Sequence, residues 1–296
     1  MDGLNIEVLL KVIETKSFRK AAQELGYTQA GISYIINSIE KEIGLPLFVR
    51  EHNGVHLSNE GQVLLPMLKQ YAVWKYQFKQ RVNELKGLEN GTIRVQIFDS
   101  ISIHWIPSIV QQFNNDYPGI KIELITEEDS LRAEEMVKSG EVDCGFFLTK
   151  VNSEIDVYPL LEESLKVILP LDHPLANNKT FPISQIGDYP YIGMKYDEHT
   201  GIQDIFVKQG VLPKRVYSLD NDYAAMAMIS KGLGYGIFPE LLLRFIPYEV
   251  KCLEFDIPQK RCVSIGTRSI HTCSQATKKF IEYTRIWVKR NTKMKQ

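Results

Sequence analysis

Cysteine is scarce in this 296-residue chain, and the four that occur, Cys144, Cys252, Cys262 and Cys273, form no Cys-x-x-Cys pair. A disulfide framework and a thiolate metal site both need clustered cysteines, so neither is expected, and a reducing compartment is the simpler setting. Cys144, Cys252 and Cys262 lie in apolar or strand-like runs and read as small buried hydrophobes; the alternative is a redox-sensing pair. Net charge is also lacking: 35 basic residues against 36 acidic ones give −1, which argues against a membrane surface as partner. No uninterrupted apolar run is long enough to span a bilayer. The first residues carry Asp2 and no basic cluster, and Glu7, Lys11 and Glu14 interrupt their apolar positions, so a secretory signal is not expected and the cytoplasm is. Glycine-rich phosphate loops, a Gly-x-Ser-x-Gly elbow and a His-Glu-x-x-His helix are missing. The six histidines, His52, His56, His104, His173, His199 and His271, do not cluster with carboxylates at ligand spacing. Nothing here calls for a cofactor, a metal or a catalytic residue.

What is present is concentrated between residues 17 and 44. Phe18, Ala21, Ala22 and Leu25 recur at i, i+3, i+4 and i+7, the apolar face of a helix that Ser17 caps and Gly26 ends. After a turn at Gly26-Tyr27, Thr28 is the N-cap of a second helix with a buried stripe of Ile32, Ile36, Ile39 and Ile43, stopped by Gly44. The small pair Ala21-Ala22 lets the two helices approach closely, as helix-turn-helix geometry requires. Gln29, Ala30, Ser33, Tyr34 and Asn37 point away from the stripe near the helix start, where a recognition helix reaches base edges. An ordinary helical hairpin would show the same spacing, so the flanking segments matter. Upstream, Ile6, Leu9, Leu10 and Ile13 mark a third amphipathic helix. Downstream, the apolar runs 47–50 and 55–57 flank Asn53-Gly54, a hairpin-turn signal. Three helices and a hairpin make a winged helix-turn-helix over residues 1–57. Arg50 is the candidate for phosphate or minor-groove contact, while His52 and His56 read as exposed loop residues.

These residues resemble the LysR-type transcriptional regulators. The run Ser17-Phe18, Ala21-Ala22, Leu25, Thr28-Gln29, Ile32-Ser33, Ile39-Glu40, Ile43-Gly44, Leu47-Phe48, Arg50, Leu57-Ser58 and Gly61 follows that family's N-terminal pattern without a gap. A weaker likeness continues through Pro118, residues 140–143, His173-Pro174-Leu175 and residues 232–239, so it covers nearly the whole chain. The resemblance implies a DNA-binding regulator, with Thr28, Gln29, Ser33, Tyr34, Asn37 and Arg50 at the DNA. One departure stands out: the family usually carries basic side chains on the exposed face of the recognition helix, where this sequence has Tyr34 and Asn37. Residues 1–57 hold the bases Lys11, Lys16, Arg19, Lys20, Lys41 and Arg50 against the acids Asp2, Glu7, Glu14, Glu24, Glu40, Glu42 and Glu51. Since non-specific affinity comes from neutralised phosphates, its salt dependence should be shallow.

Residues 58–90 read as a long linker helix. Leu64, Leu68, Tyr71, Lys75, Phe78, Val82 and Leu85 alternate by four and three, a seam for a partner helix, with Lys75 as a polar break and Pro66 expected to bend the start. Packing against its own domain is the other reading of this helix. The resemblance implies a dimerising linker, hence a homodimer or a tetramer of paired dimers, and Gly87 to Gly91 reads as a hinge.

From residue 91 the pattern changes to short strands alternating with helices, an α/β fold with open sheets. Strands are expected at 93–98, 120–126, 142–148, 164–169, 191–194, 215–218, 234–238, 250–255 and 261–266, and helices at 106–117, 131–139, 202–209 and 223–231. The fold class is therefore α/β behind an N-terminal winged helix-turn-helix and a long linker helix. The resemblance implies a C-terminal effector-binding domain, residues 91–296, of the two-subdomain periplasmic-binding-protein type 2 kind. Subdomain I would take about 91–162 and 267–296, subdomain II about 163–266, and the last helix, 273–289, would pack back on the first.

Ligands of open α/β sheets sit beyond the carboxyl ends of strands, where helix N-termini offer free N–H groups. The candidates there are Ser100 and Ser102, Asp129 and Ser130, and His199 and Thr200, with Asp99, Gly201 and Asn221 beside them. Plain helix capping is the competing explanation. If Glu127-Glu128-Asp129 faces the cleft, an effector carrying an amine is favoured over a dianion. The expected function is transcriptional regulation set by a small-molecule effector bound between two α/β subdomains, with double-stranded DNA, the effector and a second copy of the chain as partners. The alternatives are a small-molecule-binding or protein-interaction module whose DNA-reading helix is degenerate, and an enzyme of the same C-terminal fold type.

Overall fold

The computed structural model describes residues 5–51, 54–85, 91–151 and 154–292. His52, Asn53 and most of the expected hinge at residues 87–91 lie outside them. The chain divides into two compact units, Met1–Val82 and Asn83–Gln296.

In the first unit, α1 (Ile6–Thr15), α2 (Phe18–Leu25) and α3 (Gln29–Ile43) pack around one apolar core, followed by the hairpin β1 (Phe48–Glu51) and β2 (Gly54–Leu57) and the helix α4 (Asn59–Leu85). The caps fall where the sequence puts them. Ser17 Oγ accepts from the Lys20 amide at 3.3 Å, and Thr28 Oγ1 accepts from the Gly31 amide at 3.0 Å. Gly26 takes a left-handed φ of 70°, which turns the chain between α2 and α3. Ile32, Ile36 and Ile39 are buried together with Leu9, Val12, Phe18 and Ala21. Glu40 is not a surface charge only: its Oε1 accepts from the amides of Leu47 and Phe48 at 2.6 and 3.0 Å, tying α3 to the start of the wing.

The hairpin register corrects one expectation. Glu51 pairs with Gly54, so Gly54 is a strand residue, and Asn53 lies outside the described residues. The reason lies in the neighbouring contact: the amide of Val55 donates to the Lys16 carbonyl at 3.0 Å, which fixes Gly54 hard against the end of α1.

The linker seam is also corrected. Leu64, Leu68 and Ala72 face the winged-helix core rather than a partner. The apolar residues left uncovered on α4 are Val63, Met67, Trp74 and Phe78, each 60–75% exposed, and Tyr71 at 38%. Their spacing of four, four, three and four keeps one stripe along the helix. Trp74, not Lys75, stands on it. Of the expected seam, Tyr71 and Phe78 stand on this stripe, whereas Leu64 and Leu68 are turned to the core, because the apolar positions of α4 serve two faces. The helix runs through Pro66 without interruption.

The second unit opens with β3 (Gly91–Ile97), α5 (Asp99–His104), α6 (Ile106–Asp116), β4 (Ile120–Thr126), α7 (Ser130–Ser139), β5 (Cys144–Phe147) and the 14-residue β6 (Asp156–Leu169). It continues with β7 (Thr180–Phe181), β8 (Pro190–Met194), α8 (Ile202–Gln209), β9 (Lys214–Leu219), α9 (Asp222–Ser230), β10 (Gly236–Pro239), β11 (Lys251–Phe255), β12 (Gln259–Thr267) and α10 (Gln275–Thr292). β3 pairs in parallel with β4 and β5, as crossover helices require. Ile93, Val95, Phe113, Phe146 and Ile265 form one core with Phe280, Ile281 and Val288 of α10, so the last helix does pack on the first half. A separate core around Leu165, Phe181, Tyr191, Phe206 and Tyr235 holds the other half. The chain passes between the halves on β6 and back on β12, which pair antiparallel from Gln259↔Leu165 to Thr267↔Asp156, with a bulge after Val263. The short helix α5 was not expected from sequence, because its apolar residues continue those of the strand before it. Of the cysteines, Cys144 is buried as expected, whereas Cys252 and Cys262 are exposed. Both sit on strand faces that alternate with buried neighbours, Leu253 and Val263.

Candidate functional site

Two sites emerge, one in each unit. On the first, Thr28, Gln29, Tyr34 and Asn37 are exposed and Ser33 is half-buried. Arg50 reaches from β1 to α3, where its Nη2 donates to Ser33 Oγ at 2.9 Å. Its guanidinium also stacks over the Phe18 ring, 4.7 Å from the centroid. Wing and third helix thereby present one surface, with the arginine held in place rather than swinging in solvent. Another cation of this unit, Lys11, is committed to acids: its Nζ lies 2.8 Å from Glu14 and 3.2 Å from Glu24, contacts that raise its pKa.

The second site is a cavity between the two halves of the C-terminal unit, beyond the ends of β3, β8 and β9. Asp99, Ser100, Glu128 and Leu148 line it from one half. Met194, Tyr196, Asp197, Thr200, Ile202, Asp220, Asp222, Ile237, Phe238 and Pro239 line it from the other, with Arg261 on the crossing strand. Its volume is about 40 Å³, room for a few waters but far below the few hundred Å³ of a pocket that encloses a small organic molecule.

Hydrogen bonds organise the lining. The Asp99 amide donates to Glu128 Oε1 at 2.7 Å. Asp197 Oδ2 accepts from Tyr191 OH at 2.8 Å and from the Met194 amide and Arg215 Nη2 at 3.0 Å each. Arg261 Nε donates to Glu163 Oε2 at 2.9 Å, and its Nη2 comes within 3.4 Å of Ser100 Oγ. Burial, reinforced by the charges of Asp99 and Asp222, pushes the Glu128 carboxyl up to about 7. Burial likewise raises Asp222 to about 6, with Asp99 adding to it, and Asp197 to about 6.

Comparison with known proteins matches both units. The profile described as "Bacterial regulatory helix-turn-helix protein, lysR family" fits residues 5–62, and that described as "LysR substrate binding domain" fits residues 86–288. The chain belongs to the LysR family. A relative, the uncharacterized HTH-type transcriptional regulator YvbU of Bacillus subtilis, is 29% identical over 281 residues, covering 94% of this chain and 95% of that one. Among solved structures, full-length CbnR complexed with its target DNA superposes with a TM-score of 0.70 at 16% identity, covering 97% of this chain and 100% of that chain. The effector-binding domain of QuiR in complex with shikimate superposes at 0.61 with 22% identity, covering 68% of this chain and 98% of that chain. As a LysR-family member the chain is a DNA-binding transcriptional regulator with a ligand-binding C-terminal domain, and its fold is that of the family's structures.

Of the effector candidates read from the sequence, Ser100 and Thr200 line the cavity, and Asp99 with them. Ser102, Asp129 and Ser130 lie off it. The Ser102 hydroxyl donates to the Asp99 carbonyl at 2.8 Å, and Asp129 caps α7 by accepting from the amides of Leu131 and Arg132. Asn221 caps α9 in the same way through the Ala224 amide at 2.9 Å. Ser130 is buried, and its hydroxyl has no partner among the described residues. His199 is the last residue of the short helical turn Asp197–His199, which the Thr200 amide closes by donating to the Asp197 carbonyl. Of the Glu127-Glu128-Asp129 run, Glu128 alone lines the cavity; Glu127 Oε1 instead accepts from the Asp129 amide at 3.0 Å. Sequence reasoning missed Asp197, Asp222, Glu163 and Arg261. The first two sit beside residues it had singled out, Thr200 and Asn221. The last two are charges inside strands, where a break in apolar alternation was the sole trace.

Proposed function

We propose that the exposed face of α3, read together with Arg50, forms the base-contacting surface, and that an effector entering between the two C-terminal halves sets how paired copies meet their operator. The observation that carries this reading is the Arg50–Ser33 hydrogen bond, which joins wing and third helix into a single polar face carrying Gln29. In this reading residues 1–57 are the DNA-reading head, 58–90 the linker and 91–296 the effector domain. CbnR, whose structure is known with its target DNA, and QuiR, whose effector domain is known with shikimate, support the division of labour.

Two heads are needed because each carries little positive charge. The stripe Val63, Met67, Tyr71, Trp74 and Phe78 on α4 is the surface on which a second copy would lie, giving a homodimer that reads a two-fold-related site. Effector control then requires that the effector bind one assembly state more tightly than another. With a cavity of about 40 Å³, the halves must part to admit an organic effector before closing on it, and the crossing strands β6 and β12 are where that motion hinges. The role is regulatory, not catalytic, and the setting cytoplasmic, where the DNA is; no helix among the described residues is long and apolar enough to cross a membrane.

A gel-shift titration with the DNA upstream of the chain's own gene tests it. Gln29→Ala and Ser33→Ala should weaken binding to that site while dimerisation persists. Unchanged affinity in both would remove α3 as the reading surface, and no binding by the unaltered chain would leave a protein-interaction module in its place.

A further inference from the structure

The cavity is lopsided in charge. Five carboxylates line it, Asp99, Glu128, Asp197, Asp220 and Asp222, against one guanidinium, Arg261. Arg261 is already committed to Glu163 at 2.9 Å, and Asp220 to Lys195 at 2.8 Å. Asp99, Glu128 and Asp222 form no ion pair among the described side chains. A cluster of acids on a surface would be unremarked, but this one has a buried, unmet demand. Asp197 is fully buried, its Oδ2 takes three donors, and its Oδ1 has none among the described residues. A carboxylate oxygen out of water and without a donor is costly to leave that way.

We propose that the effector carries an organic cation, a protonated amine or amidine-type group, that seats among Asp99, Glu128, Asp197 and Asp222 and is gripped from both halves at once. This deepens the effector-cleft reading and rests on it. An ammonium brings three donors and no acceptor, which suits the carboxylates that dominate the lining. A guanidinium or amidinium would meet the same carboxylates in forked pairs. A metal ion is the wrong cation, since no group of three or more ligating side chains among the described residues could hold one. A carboxylate effector would meet a lining in which acids outnumber the one guanidinium, Arg261. The Asp99 and Glu128 side belongs to the first half and the Asp197 and Asp222 side to the second, so a cation between them holds the halves shut, a differential contact of the kind a switch requires.

Proton linkage follows from the same geometry. Glu128 faces Asp99, Asp222 and Arg261; Asp222 faces Asp99, Asp197 and Arg261; Asp197 faces Tyr191, Arg215 and Glu198. Without a ligand, protons neutralise part of this cluster near neutral pH, and a bound cation displaces them.

The test uses the full chain, with agmatine, putrescine and methylammonium as cationic probes and shikimate and benzoate as anionic ones, read by thermal shift and by calorimetry in buffers of different ionisation heat. Agmatine or putrescine at millimolar concentration should raise the melting temperature by a few degrees. Protons should be released on binding, and the affinity should fall roughly tenfold for each unit of pH below the cluster's titration range. The Glu128→Gln/Asp222→Asn variant should lose the shift; should that pair not fold, Asp222→Asn alone is read the same way. Retention of the shift in the folded variant, a response to the anions but not the amines, or no response to either class would each overturn the amine assignment. A response to shikimate or benzoate would leave the effector cleft standing, whereas amine stabilisation without any change in operator binding would keep the cation site and remove its role as effector.

Discussion

Glu163 on β6 and Arg261 on β12 stand directly opposite each other in the strand register, and their side chains meet at 2.9 Å with both buried. The pair lies where the chain crosses between the two halves of the ligand-binding domain. Glu163 Oε1 also accepts from the Leu241 amide, and Arg261 also touches the cavity. Desolvating both charges offsets much of their attraction, so the pair is a weak source of stability, but breaking it leaves one charge buried alone.

Arg261→Met should therefore destabilise the C-terminal unit by about 3–5 kcal/mol, measured by urea unfolding. The double variant Glu163→Leu/Arg261→Met should recover most of that loss, since no charge is then stranded. A cost in the single variant below about 1 kcal/mol would mean that water reaches the pair.

Arg50 is the cation most directly aligned with the α3 face. Arg50→Ala should lower DNA affinity and reduce the slope of log affinity against log salt by about one. The slope of the unaltered chain should itself be shallow, because residues 1–57 hold six bases and seven acids and Lys11 is engaged by two glutamates. A steep slope, like that of a strongly basic regulator, would show that phosphate contacts come from beyond this domain.

Local signals make the first unit readable from its amino acids: Ser17, Thr28, Gly26 and the isoleucine stripe each act within a few residues, and each does in the fold what its chemistry indicates. The strands and helices of the second unit are legible for the same reason. What fails is whatever depends on distant segments. The α4 seam is misread at Leu64 and Leu68, because nothing local says that the winged-helix core claims them. Ser102 and Asp129 bond to their own helix ends, a role that local sequence cannot separate from ligand contact because both use the same side chains. Asp197 and Arg261 gain meaning only with Tyr191, Arg215 and Glu163, far off in sequence or on another strand, placed around them.

Gly61 shows how a single missing side chain can hold an interface. A Cβ at this position would run into the Leu47 carbonyl oxygen and touch Leu57 at 3.0 Å. The first turn of α4 is held there by Ser58, whose hydroxyl accepts from the Gly61 amide at 2.9 Å and donates to the Pro46 carbonyl at 2.6 Å. Gly61→Ala should cost about 1–3 kcal/mol, as overpacking against backbone does, and lower the melting temperature of the N-terminal unit. A neutral result would mean that α4 shifts freely on the wing.

The stripe on α4 gives a test of assembly. Placing a charge at Trp74 or Phe78 puts it on the surface proposed for the second copy, where desolvation without a partner costs several kcal/mol. Trp74→Glu and Phe78→Glu should each halve the mass seen by light scattering at micromolar concentration. Both residues are exposed in the single chain, so the variants should still fold. An unaltered mass in both would move the dimer contact to another face.

Glu128 gives the pH dependence. Its carboxyl is raised from 4.5 to about 7 by burial, with the neighbouring charges of Asp99 and Asp222 acting in the same direction. A raised folded pKa means that the folded form binds the proton more tightly than the unfolded one. The stabilisation from protonation is therefore complete below pH 4.5 and is lost as pH rises to about 7. Glu128→Gln is neutral throughout and escapes that loss. At slightly alkaline pH the variant should be more stable than the parent by on the order of 2 kcal/mol, and the advantage should vanish near pH 4.5. Asp222 and Asp197, each at about 6, add to the same trend in both proteins, so the difference between the two denaturation curves, not either curve alone, isolates Glu128. A difference that is flat across this range would mean that the cavity stays open to solvent in the absence of ligand, with Glu128 titrating as it does in water.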